Sequence, residues 1–137
     1  MRKRLAGLAL IVCLFGWLDT SLASDEKGGF IIGGGVGFLG CPQFLNAMAT
    51  MRQSGGSNKI EGVKIISPFV MYVAGFRTGF NSEAQGIFDV FKALGEDAEV
   101  NALYAIEPWC AKNPDKNFAT GLLVLGGTLR KNARQGQ

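Results

Sequence analysis

Histidine is absent from this chain of 137 residues, and cysteine and proline are scarce, with three and four residues respectively. The absence of histidine excludes Ser-His-Asp and Cys-His catalysis and removes the most common general base. With so few cysteines, a zinc site would have to rely on carboxylates. We therefore expect a protein that is not an enzyme and has no catalytic residues, no cofactor and no metal.

A pair of carboxylates, as in glycoside hydrolases, is the catalytic arrangement that these absences leave open. Glu107 is the carboxylate of most interest, because Pro108 and Trp109 follow it at an expected helix kink and could partly desolvate it. The other acidic residues are interpreted as solvated surface, cap or turn residues. This pattern favours a non-enzymatic function.

Residues 1–23 have the three zones of a secretory signal. Basic residues at 2–4 precede an apolar run at 5–18, and Ser-Leu-Ala at 21–23 forms a cleavage site. The run of about 14 residues is shorter than the roughly 20 that span a bilayer. We predict that the signal peptide is cleaved, with retention as an N-terminal anchor as the alternative. The mature protein would be periplasmic or secreted, without a stable membrane span.

Cleavage would leave two cysteines, Cys41 and Cys110, in a compartment where thiols are oxidised. Two thiols in such a compartment most simply form one disulfide. In the loop-entropy model, a bridge between residues so far apart stabilises the fold by about 4 kcal/mol. Cys13 lies in the apolar run and would be removed with the signal.

The charge of the chain gives no indication of nucleic-acid binding. Loss of residues 1–23 removes three basic residues and one acidic residue, so the formal charge falls from +3 to +1. The remaining basic residues are scattered, apart from Arg130, Lys131 and Arg134 near the C-terminus. A nucleic-acid surface would need a basic stripe with interleaved aromatic residues, and the sequence has none.

Residues 24–40 form a Gly-rich leader. Within it, Gly35, Gly37 and Gly40 have the spacing of a dinucleotide-binding fingerprint. That mechanism needs a βαβ unit, and the rest of the chain offers no further strands for one. We interpret the glycines as residues that permit tight turns or close backbone contact ahead of the first helix.

Residues 41–134 predict a single all-α domain, a small bundle of about four helices clamped by the disulfide. The first helix is expected over 42–53, because proline suits the first turn of a helix. The second is expected over 69–80, with Ser67 as N-cap and Pro68 at its first position. The glycines within this second helix, at a spacing of four, predict a close crossing by another helix. These two glycines are Gly75 and Gly79.

Two further helices follow a short element at 87–91. The third helix is expected to open at Glu96 or Asp97 and to end at 113–114, where Asn-Pro stops it. Its inward side chains are expected to be Val100, Leu103, Tyr104 and Trp109. The fourth helix is expected over 116–134, and because three glycines weaken it, it must rely on packing.

Three segments carry a family pattern: 41–45 (CPQFL), 72–81 (YVAGFRTGFN) and 105–114 (AIEPWCAKNP). They resemble the small exported helical proteins of the HdeA/HdeB-like superfamily, and the resemblance covers roughly residues 41–129. It implies an all-α fold with the two cysteines bridged, and the activity of an acid-stress chaperone that holds unfolded client proteins. Carboxylate protonation would drive its acid response, because no histidine titrates. Formation of a homodimer is a further expectation.

A second reading is an immunity or inhibitor-type binding module for one specific protein partner. Small, exported, disulfide-clamped helical proteins also serve in that role. Such a protein would stay folded across pH and would bury an exposed aromatic or charged patch against its partner. A purely structural role in the cell envelope, as an oligomer, is a third reading that the sequence leaves open.

Overall fold

The computed structural model of the protein describes residues 34–136. These residues contain four α-helices: α1 (Cys41–Gln53), α2 (Ile60–Ser82), α3 (Ala98–Lys112) and α4 (Phe118–Gln135). Two short 3₁₀ helices, Gly35–Phe38 and Val90–Leu94, accompany them. Within this range there is no strand, and the one isolated bridge pairs Gly40 with Asn117. The predicted all-α bundle of four helices is confirmed, whereas residues 1–23 and 24–33 lie outside the described part of the chain.

The disulfide joins Cys41, the first residue of α1, to Cys110, near the end of α3. The two Cα atoms are 5.0 Å apart, across 69 residues of sequence. Both cysteines are completely buried. The predicted pairing is therefore present, and it lies in the core.

The end of the leader is tied to the start of α4 by backbone hydrogen bonds. The Cys41 amide donates to the Lys116 carbonyl at 2.8 Å, and the Phe118 amide donates to the Leu39 carbonyl at 2.9 Å. Gly37 is buried so closely against Tyr72 that any side chain at this position would overlap the phenol ring. This is the close backbone contact that the glycines of the leader were expected to permit.

α2 begins about two turns earlier than predicted, at Ile60, and Pro68 lies inside it rather than at its start. A proline within a helix costs about 3 kcal/mol and leaves one carbonyl, here that of Lys64, without its helical partner. Lys64 and Pro68 are both exposed, so water can bond that carbonyl. Gly62 and Ile66 are buried in the first two turns, and this packing keeps the segment helical.

The predicted close crossing at Gly75 and Gly79 is wrong. A Cβ atom added to either glycine would meet nothing within 4 Å. The close approach occurs instead at Gly126 of α4, where a Cβ atom would lie 3.2 Å from both Phe76 and Phe80 of α2. Gly121 and Gly126, which weaken the helical propensity of α4, therefore permit the close packing on which the helix depends, whereas a Cβ atom at Gly127 would meet nothing within 4 Å.

The core is an aromatic and aliphatic cluster to which all four helices contribute. At its centre the rings of Phe44, Phe69 and Phe118 lie 4.8 to 5.4 Å apart, in tilted and edge-to-face arrangements. Tyr104 was expected to point inward but is 39% exposed, and its hydroxyl lies 3.3 Å from the Ser57 hydroxyl. The small or branched side chains of α3 are buried in its place: Ala98, Ala102, Leu103 and Ile106.

Candidate functional site

The described residues contain one network of charged side chains that joins three elements. Arg77 of α2 donates from Nε and Nη2 to the two carboxylate oxygens of Asp89, at 3.2 and 2.5 Å. Its Nη1 donates to the Glu99 carboxylate of α3, at 2.7 Å. Asp89 lies in the connecting segment, which we define as residues 83–97 between α2 and α3. One guanidinium therefore binds two carboxylates from different parts of the chain.

Asn81 completes this network, which we call the latch (Arg77, Asn81, Asp89 and Glu99). Its amide nitrogen donates to Asp89 at 2.9 Å, and its amide oxygen accepts from the Val90 backbone N–H at 2.9 Å. Asp89 also accepts from the Phe91 amide at 3.0 Å and so caps the second 3₁₀ helix. The latch thus holds both the side chain and the backbone of the connecting segment against α2.

The latch is mostly shielded from solvent, which strengthens its ionic contacts. The side chains of Arg77, Asp89 and Glu99 are 28%, 13% and 24% exposed. The hydrogen bonds from Arg77 hold the pKa of Asp89 below its usual range, with smaller contributions from Asn81 and the Phe91 amide. Hydrogen bonds to Asp89 and Glu99 raise the pKa of Arg77 further above its already high value. At neutral pH the Arg77 and Asp89 side chains are therefore charged and paired.

Beneath the latch lies an apolar layer that the connecting segment covers. Val90 and Phe91 are buried, and the Phe91 ring meets the Phe76 ring of α2 edge to face at 6.1 Å. Phe76 also stacks on Phe80 at 5.1 Å, and the Arg130 guanidinium of α4 lies over the Phe80 ring. Release of the connecting segment would expose this layer.

A second ion pair links Arg52 of α1 to Glu107 of α3. Arg52 also donates to the Met48 carbonyl at 3.3 Å. Glu107, the carboxylate singled out from the sequence, is partly buried but is bound by this arginine. The two carboxylates that the structure brings together, through their shared contact with Arg77, are Asp89 and Glu99, and Glu107 is not one of them. Among residues 34–136, no group of acidic residues and cysteines has the arrangement of a metal site.

Large apolar side chains are exposed at several places on the described surface. Phe88 is 99% exposed, Ile60 is 74% exposed and Met71 is 71% exposed. α3 and α4 also enclose a shallow recess of about 180 Å³, lined mainly by apolar groups that include Trp109 and Val124. None of the described helices has the length and apolar character to cross a bilayer.

The latch was missed in the sequence because its members are far apart along the chain. Arg77 and its two carboxylate partners are separated by 12 and 22 residues. One signal was present: Arg77 lies in a strongly apolar helix, where a charged side chain needs a partner, and Asn81 follows one turn later. Phe88 gave no such signal.

Comparisons with known proteins found no match to this chain among family models, curated proteins or solved structures.

Proposed function

We propose that the protein is an exported, non-enzymatic stress chaperone of the holdase type, which binds unfolded proteins in the periplasm after acid opens its connecting segment. The latch is the observation that carries this proposal. Its carboxylate Asp89, whose pKa is lowered by Arg77, fixes a segment that covers an aromatic layer. The resemblance to the HdeA/HdeB-like superfamily supports the same function.

The acid response would act through the latch carboxylates. Protonation of Asp89 would break its ion pair with Arg77 and leave the guanidinium with less compensating charge in a mostly shielded position, which is costly. The pKa of Asp89 is held below its usual range, so its stabilising effect is present at neutral pH and is lost as the pH falls through that lowered value. The segment also carries Glu83, Glu96, Asp97 and Lys92, and Arg130 of α4 donates to the Glu83 carbonyl. Acid would therefore add net positive charge where the segment is held.

The surface opened in this way would suit unfolded clients. The inner side of the connecting segment is apolar, with Ile87, Val90 and Phe91 buried. Phe91 packs against Phe76, which in turn stacks on Phe80. Unfolded proteins expose apolar side chains, and burial against such a layer would hold them in solution. The disulfide would limit the opening, since it keeps α1 and α3 joined.

The test uses the purified mature protein, residues 24–137, with its disulfide intact. At about pH 3 we expect it to bind a hydrophobic dye and to suppress aggregation of an acid-denatured client, and at pH 7 to do neither. The Arg77→Met variant should bind dye already at pH 7, because its latch is broken. Arg134→Met is the matched control, since Arg134 is exposed on α4 and forms no ion pair with the residues that the structure describes. A mature protein that neither binds dye nor protects a client at about pH 2 to 3 would rule out this function.

A second candidate is the binding module for one folded protein partner, and the complete exposure of Phe88 favours it. A binding module would keep its connecting segment closed across pH. Helicity and near-ultraviolet circular dichroism, recorded between about pH 7 and pH 2, separate the two candidates, because the chaperone should lose its tertiary signal in acid.

A further inference from the structure

Phe88 combines full exposure with a fixed position. It is 99% exposed, yet Ile87 before it is buried and Asp89 after it accepts hydrogen bonds from three residues: Arg77, Asn81 and Phe91. Gly86 precedes this stretch with φ of 76°, a left-handed conformation that glycine adopts without strain. A large aromatic side chain is thus held out into solvent by a well-anchored backbone, and little conformational entropy would be lost when a partner buried it.

The charges around Phe88 indicate the chemistry of that partner. The connecting segment together with Glu99 carries five carboxylates and one lysine, Lys92, while Arg77 contributes one further positive charge. Arg130 of α4 also contacts the segment, where it donates to the Glu83 carbonyl, and its guanidinium lies over the Phe80 ring. The acidic side chains of the segment that are exposed and form no ion pair within residues 34–136 are Glu83, Glu96 and Asp97.

The excess of negative charge on this segment contrasts with the net positive charge of the whole chain. We propose that Phe88 and the exposed acidic side chains of the connecting segment form a neutral-pH docking surface for a folded cationic protein, whose apolar pocket receives Phe88 and whose lysine or arginine rim faces Glu83, Glu96 and Asp97. This proposal develops the second candidate function and does not require acid opening. Buried aromatic anchors dominate the energetics of protein interfaces, and complementary charge speeds association and selects the partner.

The size of the effect follows from what the phenyl ring would bury. Complete burial of a phenylalanine side chain corresponds to about a 10- to 100-fold change in the dissociation constant. The acidic residues are exposed, so their contribution should appear mainly in the association rate and should fall with added salt.

The experiment places a photocrosslinking benzoyl-phenylalanine at position 88 of the full chain in its native host, grown at neutral pH. The matched control carries the same group at position 71, where Met71 is exposed on α2. The cross-linked protein is identified by mass spectrometry, purified and titrated calorimetrically with the wild type and with Phe88→Ala, Met71→Ala and Glu96→Lys. Circular dichroism checks that each variant is folded, which is expected because all three side chains are exposed.

We expect one cationic protein to be cross-linked at position 88 and not at position 71. Phe88→Ala should weaken its binding by about 10- to 100-fold, Met71→Ala by less than about 2-fold, and Glu96→Lys should slow association. Equal cross-linking at both positions, cross-linking only to another copy of the chain or to many unrelated proteins, or binding that Phe88→Ala leaves unchanged would overturn the proposal. Chaperone activity of Phe88→Ala at about pH 3 is measured separately, so the failure of one function is distinguishable from the failure of the other.

Discussion

Replacement of Asp89 by asparagine tests the latch most directly, because it removes one charge and keeps the size of the side chain. The oxygen of the introduced carboxamide could still accept from the Phe91 amide, but its NH₂ group would face the Arg77 guanidinium or the Asn81 amide. Among the described residues, Arg77 would keep Glu99 as its one anionic partner. The variant therefore loses the ionic contact and gains a pair of opposed donors.

The expected loss of stability lies between two limits. Fully exposed ion pairs contribute about 0 to 1 kcal/mol, whereas breaking a buried pair costs about 3 to 5 kcal/mol. The Arg77 and Asp89 side chains are 28% and 13% exposed, so the pair lies between these cases. We expect Asp89→Asn to lower the free energy of unfolding by about 2 kcal/mol at pH 7, a substantial part of the 5 to 15 kcal/mol typical of a domain.

The pH dependence of this loss distinguishes the latch from simple packing. The pKa of Asp89 is lowered in the folded protein, so its carboxylate stabilises the fold above its unfolded pKa of 3.8 and ceases to do so as the pH falls through the folded value. Urea unfolding, followed by circular dichroism at pH 7, pH 4 and about pH 2, should show the difference between variant and wild type shrinking toward zero. A difference that is the same at all three pH values would refute the ionic explanation.

Asp115→Asn is the control for this measurement. Hydrogen bonding to Lys116 also lowers the pKa of Asp115, but both residues lie exposed in the turn between α3 and α4. Solvent screens such a pair, so the variant should unfold like the wild type at each pH.

Three further predictions concern the covalent clamp and the helix contacts. Cys41→Ser with Cys110→Ser should lower the free energy of unfolding by about 4 kcal/mol in urea titrations, and a loss below about 1 kcal/mol would contradict the clamp. Gly62→Ala should lower the melting temperature clearly, because the added methyl group would overlap the backbone of the loop before α2. Gly75→Ala should instead stabilise the fold by up to about 1 kcal/mol, since the added methyl group would meet nothing within 4 Å and alanine favours the helix. Glu107→Gln should destabilise the protein by less than about 1 kcal/mol in the same urea assay, since half of the Arg52 side chain is in solvent.

The parts of the fold that local signals determine could be predicted from the sequence. Proline after Cys41 marks the start of α1, and Asn-Pro at 113–114 marks the end of α3, because both act through backbone restrictions of neighbouring residues. The start of α2 could not be predicted in this way. Pro68 has the local signature of a first helical residue, and only the burial of Gly62 and Ile66 against the rest of the fold extends the helix past it.

The candidate sites depend still more on contacts through space. Ile87 and Phe88 are adjacent apolar residues, yet the first is 8% and the second 99% exposed. Which of them points inward is set by how the latch fixes Asp89 against α2, and that contact joins residues 12 apart in sequence. The glycines give a second example. Gly126 packs closely against Phe76 and Phe80 and Gly75 against nothing, yet no local sequence signal tells which of the two glycines lies at a helix contact.

The positions of the disulfide and the latch determine which part of the fold acid could release. The disulfide joins α1 to α3, and the latch joins α2 to the connecting segment and to the start of α3. Both α2 and the connecting segment lie within the 69-residue interval that the disulfide closes. Protonation of Asp89 would break its ion pair with Arg77 and leave the disulfide intact, so the released segment would remain attached at both ends to helices that the disulfide keeps together. When the pH returns to neutral, a chain that has opened only in this segment loses less conformational entropy on refolding than a chain that has unfolded completely. After acid exposure, the reduced protein should therefore refold more slowly than the oxidised protein.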